Sequence, residues 1–74
     1  GMSQTRSLDV CGLPPPEPFE QIMTALDDLP NGDLLEVRIH RQPHPLFEVL
    51  RNNGFVYNCE PTPDGVFLIK IRHQ

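Results

Sequence analysis

Proline and glycine divide this chain before any other feature comes into play. Nine prolines occur in 74 residues, roughly twice the usual share. They fall at 14, 15, 16, 18, 30, 43, 45, 61 and 63, and after the first residue the glycines fall at 12, 32, 54 and 65. Proline removes a backbone donor and fixes φ, so a helix can start on these prolines but has no interior there, and inner strands avoid them. The breakers cluster between apolar segments, which is the spacing of an ordered domain rather than of a low-complexity tract. A chain this short supports one domain with a thin core. Residues 1–6 are expected to be an expression scar (Gly1-Met2) and a flexible start, and residues 7–74 a single domain.

The segments between the breakers have readable periods. Ser7 to Cys11 alternates like a short strand. Phe19, Ile22, Met23 and Leu26 fall at helical spacing. Pro18 suits the first turn of that helix, and Glu17 and Glu20 sit at its positive end. Asp27 and Asp28 lie at the negative end, where acids are slightly unfavourable. Pro30-Asn31-Gly32 stops it. Leu34 to His40 alternates again, with Leu35, Val37 and Ile39 on one face. Pro45 starts a second helix carrying Leu46, Phe47, Val49 and Leu50, and Asn53-Gly54 ends it. Phe55, Tyr57 and Cys59 mark a third strand. Asp64-Gly65 is a hairpin signal, and Val66 to Arg72 is a fourth strand.

The order is therefore βαβαββ. Strands joined through a helix run parallel with right-handed crossovers. The last strand is the most continuously apolar, as an interior strand should be. Placing it between strands two and three gives an α+β two-layer sandwich, a mixed four-stranded sheet of order 1-2-4-3 with two helices on one face. Leu8, Val10, Phe19, Ile22, Met23, Leu26, Leu35, Val37, Ile39, Leu46, Val49, Leu50, Phe55, Tyr57, Phe67, Ile69 and Ile71 are the expected core. Asp9, Glu36, Arg38, Asn58, Glu60, Lys70 and Arg72 fall on the helix-free face. That face reads as solvated, or as a partner or dimer surface that includes Leu34, Val66 and Leu68.

Charge and cysteine count exclude several functions. Six basic against ten acidic residues give a net charge of −4, which opposes binding driven by a basic field. Nucleic acid is therefore not an expected partner, although the fold is similar to the C-terminal domain of bacterial translation initiation factor three. No apolar run approaches the roughly 18 residues of a membrane span. Two cysteines make neither a disulfide framework nor a four-ligand zinc site. A cytoplasmic location with reduced thiols is expected, and no cofactor.

The stretch Leu8-Asp9-Val10-Cys11-Gly12-Leu13-Pro14-Pro15-Pro16-Glu17-Pro18 resembles the start of the TusA/SirA-like family. There, Leu-Asp-x-Arg-Gly-Leu runs into x-Cys-Pro-x-Pro at a helix start. The turn at Pro30–Gly32 and the element order continue the likeness. A sister branch of uncharacterised domains is more similar, with Gly-Leu-Pro-Pro-Pro-Glu-Pro and a later Pro-x-Pro-Leu, here Pro43-His44-Pro45-Leu46. The resemblance implies the fold of sulfur carriers, whose motif cysteine takes up and passes on a persulfide. A thiol at a helix N-terminus is activated by the macrodipole. In this chain that position is Pro15, which has no nucleophile, and the family's arginine is replaced by Cys11. The fold and the Pro16-x-Pro18 frame transfer, and the reaction does not.

Ligands of α/β sheets favour the carboxyl ends of parallel strands near helix N-termini. That edge gathers Cys11, Pro15, Pro16, Glu17, Pro18, His40, Arg41 and His44, the expected ligand or partner edge. The first reading is a non-catalytic binding or accessory module with a protein partner, monomeric or weakly dimeric. The second is a sulfur carrier using Cys11 as a displaced persulfide site. The third is a metal- or haem-linked redox accessory using His40 and His44. Against the third, prolines prevent these two histidines from sharing a helix. Solvated loop histidines, with His44 capping the second helix, are expected instead. Cys59 is expected in the core, and His73 in a solvated tail.

Overall fold

The computed structural model describes residues 3–74; the expected scar Gly1-Met2 lies outside them. The elements are β1 (Thr5–Asp9), α1 (Glu17–Asp27), β2 (Leu34–Ile39), α2 (His44–Asn52), β3 (Phe55–Pro61) and β4 (Phe67–His73). The order is βαβαββ, and the sheet runs β1-β2-β4-β3. β1 and β2 are parallel, with Leu8 opposite Val37. β4 is antiparallel to both neighbours, with Ile69 between Val37 and Cys59. β2 and β3 therefore point the same way, both crossovers step in one direction, and α1 and α2 share one face.

Each helix begins on proline for a physical reason. Pro16 precedes α1, and Pro18 lies in its first turn, where a missing N–H is harmless. The Glu17 and Glu20 N–H groups donate to the Pro14 and Pro16 carbonyls at 3.0 and 3.1 Å. Pro43 precedes α2, and Pro45 lies in its first turn. The Leu46 and Phe47 N–H groups both donate to the Pro43 carbonyl. No side chain caps either start. His44 is thus the first residue of α2 and not its cap. Its ring meets Phe47 edge-on at 5.8 Å.

The core is one cluster between the sheet and both helices: Val10, Ile22, Leu26, Leu29, Leu35, Val37, Ile39, Leu46, Leu50, Ile69 and Ile71. Several expected core residues are only half-buried: Leu8, Met23, Val49, Phe55, Tyr57 and Phe67. Leu8, Phe55 and Tyr57 sit on edge strands β1 and β3, which have a covered neighbour on one side only. Tyr57 stacks on Phe47 at 4.7 Å and its hydroxyl accepts from Arg51. Phe19 departs furthest, at 40% exposure, while Leu29 joins the core unforeseen.

Three boundary findings correct the sequence reading. Thr5 and Arg6, expected in the flexible start, are strand residues, and Cys11 lies in a turn beyond β1. Asp33 is 7% exposed. Its Oδ1 accepts from the Gln4 N–H at 3.0 Å, and its Oδ2 lies 3.7 Å from Arg6, so it clips the start of β1 to β2. His73 is not a solvated tail. Its Nε2–H donates to the Leu29 carbonyl at 2.8 Å, and its ring lies 4.6 Å from Phe55. The carbonyl has no proton to give, which makes the imidazole the donor.

Ile69 is fully buried at the centre of β4, between β2 and β3. Ile69→Ala is expected to lose about 2–5 kcal/mol, a large part of a small domain's stability. Urea unfolding of the two proteins measures it, and a loss below about 1 kcal/mol would show that β4 contributes as an edge strand does.

Candidate functional site

β1 and β2 end at the same edge of the sheet, and both helices start there. After Asp9 the chain turns at once. The Leu13 N–H donates to the Val10 carbonyl at 3.4 Å, and Gly12 adopts φ +81°. This is the positive φ that a type II turn requires at its third residue, where glycine is unstrained. The Cys11 N–H donates to Asp9 Oδ1 at 2.9 Å, which ties the turn to the strand end. Leu13 and the prolines then run into α1. After Ile39, residues 40–43 lead in the same way into α2.

Between the two helix starts lies a cleft of about 410 Å³. Leu13, Pro15, Pro16, Pro18, Phe19 and Ile22 line one side. Ile39, His40, Arg41, Gln42, Pro43, Pro45 and Leu46 line the other. The prolines give the walls apolar surface with no N–H to offer, and the ring geometry makes them stiff. Of the residues expected at this edge, Pro15, Pro16, Pro18, His40 and Arg41 line the cleft, and Cys11, Glu17 and His44 do not. The sequence reading missed Leu13, Gln42, Pro43 and Pro45, and it assigned Phe19 to the core. The signal was available in the two proline pairs, since each opens a helix at the same edge.

Cys11 belongs to a separate cluster. Partial burial, then the Asp9 carboxylate, push its thiol above the ordinary value, although Arg38 pulls the other way. The Cys11 backbone N–H holds the Asp9 carboxyl below the usual carboxylate range. Arg38 Nη2 lies 2.6 Å from Asp64 Oδ2 in the β3–β4 turn. The Thr62 hydroxyl donates to the other Asp64 oxygen, and Gly65 takes φ +86° to close that turn. Thr62, then Arg38, hold the Asp64 carboxyl below its ordinary value. Arg38 of β2 therefore pairs with a residue of the β3–β4 hairpin. Cys59 is half-buried against the core, and burial pushes its thiol up. Both thiols are free.

His40 and His44 are both exposed. Among the described residues, no three His, Cys, Asp or Glu side chains are grouped so that they could hold a metal ion. No helix among these residues is long and apolar enough to cross a membrane.

Fold and site together define a small α+β two-layer domain with an apolar cleft at the carboxyl edge of its parallel strands. The family described as "Uncharacterized conserved protein (DUF2249)" matches residues 7–73, and the chain belongs to that family. Comparison with curated proteins and with solved structures gives no match.

Two outcomes follow from the electrostatics. Cys11 is expected to alkylate with iodoacetamide more slowly than free cysteine at neutral pH, because less of it is thiolate. Asp9→Asn removes a carboxylate that raises the thiol and is expected to speed the reaction; a wild-type rate above that of free cysteine would contradict this reading. Asp64 has a folded-state value depressed from 3.8, so its stabilising effect is complete at neutral pH and disappears as pH falls through that depressed value. In thermal melts from about pH 5 to about pH 2, Asp64→Asn should show a shallower acid-side fall in Tm than wild type. Equal slopes would remove Asp64 from the account.

Proposed function

We propose that this protein is a non-catalytic binding module built on the sulfur-carrier fold of the TusA/SirA-like proteins. The observation that carries the reading is the apolar cleft itself. The resemblance implies that Pro15 stands where those carriers have their motif cysteine, and Pro15 lines the cleft wall. Among the described residues no cysteine, serine or threonine lines this concave apolar site, which suits it to binding rather than to group transfer. The occupant is an apolar group taken up without a covalent bond, and a partner protein then supplies or receives what the cleft holds. Residues 5–74, from the first residue of β1 onward, act as one domain in this reading.

The Cys11 environment argues against displaced persulfide chemistry. A carrier thiol has to be both activated and reachable. The Cys11 thiol is raised rather than lowered, and its side chain is not part of the cleft wall. It precedes Gly12, outside the first turn of α1, where the macrodipole effect has faded.

Two measurements test the reading. Incubation with a cysteine desulfurase and cysteine, followed by mass spectrometry, is expected to leave the protein unmodified. An adduct of one sulfur atom on wild type but not on Cys11→Ser would restore the carrier reading. Isotope-edited NMR with benzyl alcohol, a neutral apolar probe, tests the cleft. The amide signals of Leu13, Phe19, Ile22 and Gln42 are expected to shift first. Shifts confined to the helix-free face would overturn the assignment.

A further inference from the structure

Resting on the reading of the cleft as a binding site, we infer that its occupant is a small amphipathic monocarboxylate, an apolar body with one anionic head. Size, lining and charge point to this class. A volume of about 410 Å³ lies in the range of small-molecule sites, roughly 300–1,000 Å³. The walls are apolar apart from His40, Arg41 and Gln42, which lie together on one side. An apolar cavity with its polar groups gathered at one place fits a ligand with a polar end and an apolar end.

The head group follows from charge. The chain carries net −4, yet the one permanently charged side chain lining the cleft is cationic, Arg41. Among the described residues the ion pairs are Arg6–Asp33 and Arg38–Asp64, so Arg41 is unpaired. A guanidinium binds a carboxylate through two parallel N–H donors. One fixed positive charge balances one negative charge. A phosphate dianion would bring a second charge with no fixed cation in the cleft to meet it.

A small molecule fits better than a protein surface. A stable protein interface covers about 800 Å² on each partner, around an apolar centre. Among the described residues Phe19, at 40% exposure, is the exposed large hydrophobic side chain, and it stands in this cleft wall. The most exposed large apolar side chain is thus part of the concavity itself.

The test is NMR titration of the isotope-labelled chain with octanoate, 1-octanol and octyl phosphate, each below its micelle concentration, with sedimentation to follow oligomeric state. Octanoate is expected to shift the amides of Leu13, Phe19 and Gln42 and to bind about tenfold more tightly than 1-octanol. Arg41→Gln, at an exposed loop position, is expected to erase that difference by weakening octanoate to the level of 1-octanol. Phe19→Ala is expected to weaken both ligands. Equal binding of octanoate and 1-octanol in wild type overturns the carboxylate and leaves the cleft reading standing. Tighter binding of octyl phosphate overturns the single-charge match. A preference that survives Arg41→Gln overturns the role of Arg41. A dimer whose formation shifts the same amides makes a second copy the occupant and overturns the inference. No shift with any of the three ligands overturns both the inference and the cleft reading.

Discussion

The insertion of β4 between β2 and β3 is the constraint on which the rest of the molecule depends. Ile69 and Ile71 of β4 are fully buried, and β4 pairs along its length with both neighbours. Because β4 is antiparallel to each, β2 and β3 must be parallel to one another. Two parallel crossovers that step the same way place both helices on one face, since each is right-handed. One core then serves both helices, with Ile22 and Leu26 of α1 and Leu46 and Leu50 of α2 in a single buried cluster with the sheet. The same geometry brings the ends of β1 and β2, and the starts of both helices, to one edge.

That edge stays open because of what is placed there. Prolines cannot donate hydrogen bonds to close over the gap, and their fixed φ holds the two helix starts as separate walls. Phe19 adds an aromatic face to one wall instead of burying itself. The polar groups gather on the opposite side, at residues 40–42. Beyond the turn at Gly12, Cys11 and Asp9 form a cluster of their own with Arg38 and Asp64 nearby. Cleft wall and thiol are thus separated by a single turn, and the surroundings of the thiol push its pKa up. The opposite end of the sheet is closed differently, by Asp33 on Gln4 and Arg6 and by His73 on Leu29.

The element order, the sheet order and most of the buried face were legible in the residues because they depend on local periods. Alternation at Leu35, Val37 and Ile39, and helical spacing at Ile22 and Leu26, report burial directly. The β1 boundary was less legible. Thr5 and Arg6 are polar, and they are strand residues because the β2 backbone pairs with them and Asp33 holds Arg6 and the adjoining Gln4, the latter across 29 residues of sequence. Phe19 shows the same limit from the other side. Its spacing matches the core stripe of α1, yet its position in the first turn leaves it at the mouth of the cleft rather than over the sheet. His73 looked like a tail residue because its acceptor, the Leu29 carbonyl, is distant in sequence.

Of the candidate site, the sequence by itself determined the chemical inventory: two proline-bounded helix starts, an arginine and a histidine after β2, and a proline at the position where the resembling family has its cysteine. Those facts need no coordinates, since they depend on side-chain identity and on the order of elements. Only the tertiary structure decided which of these residues share a wall. It brought Pro15, Pro16 and Pro18 opposite Arg41 and His40, and it left Cys11, Glu17 and His44 outside. The physical reason is that a cleft is made by the packing of two segments against one core, and neither segment's local pattern records the distance to the other.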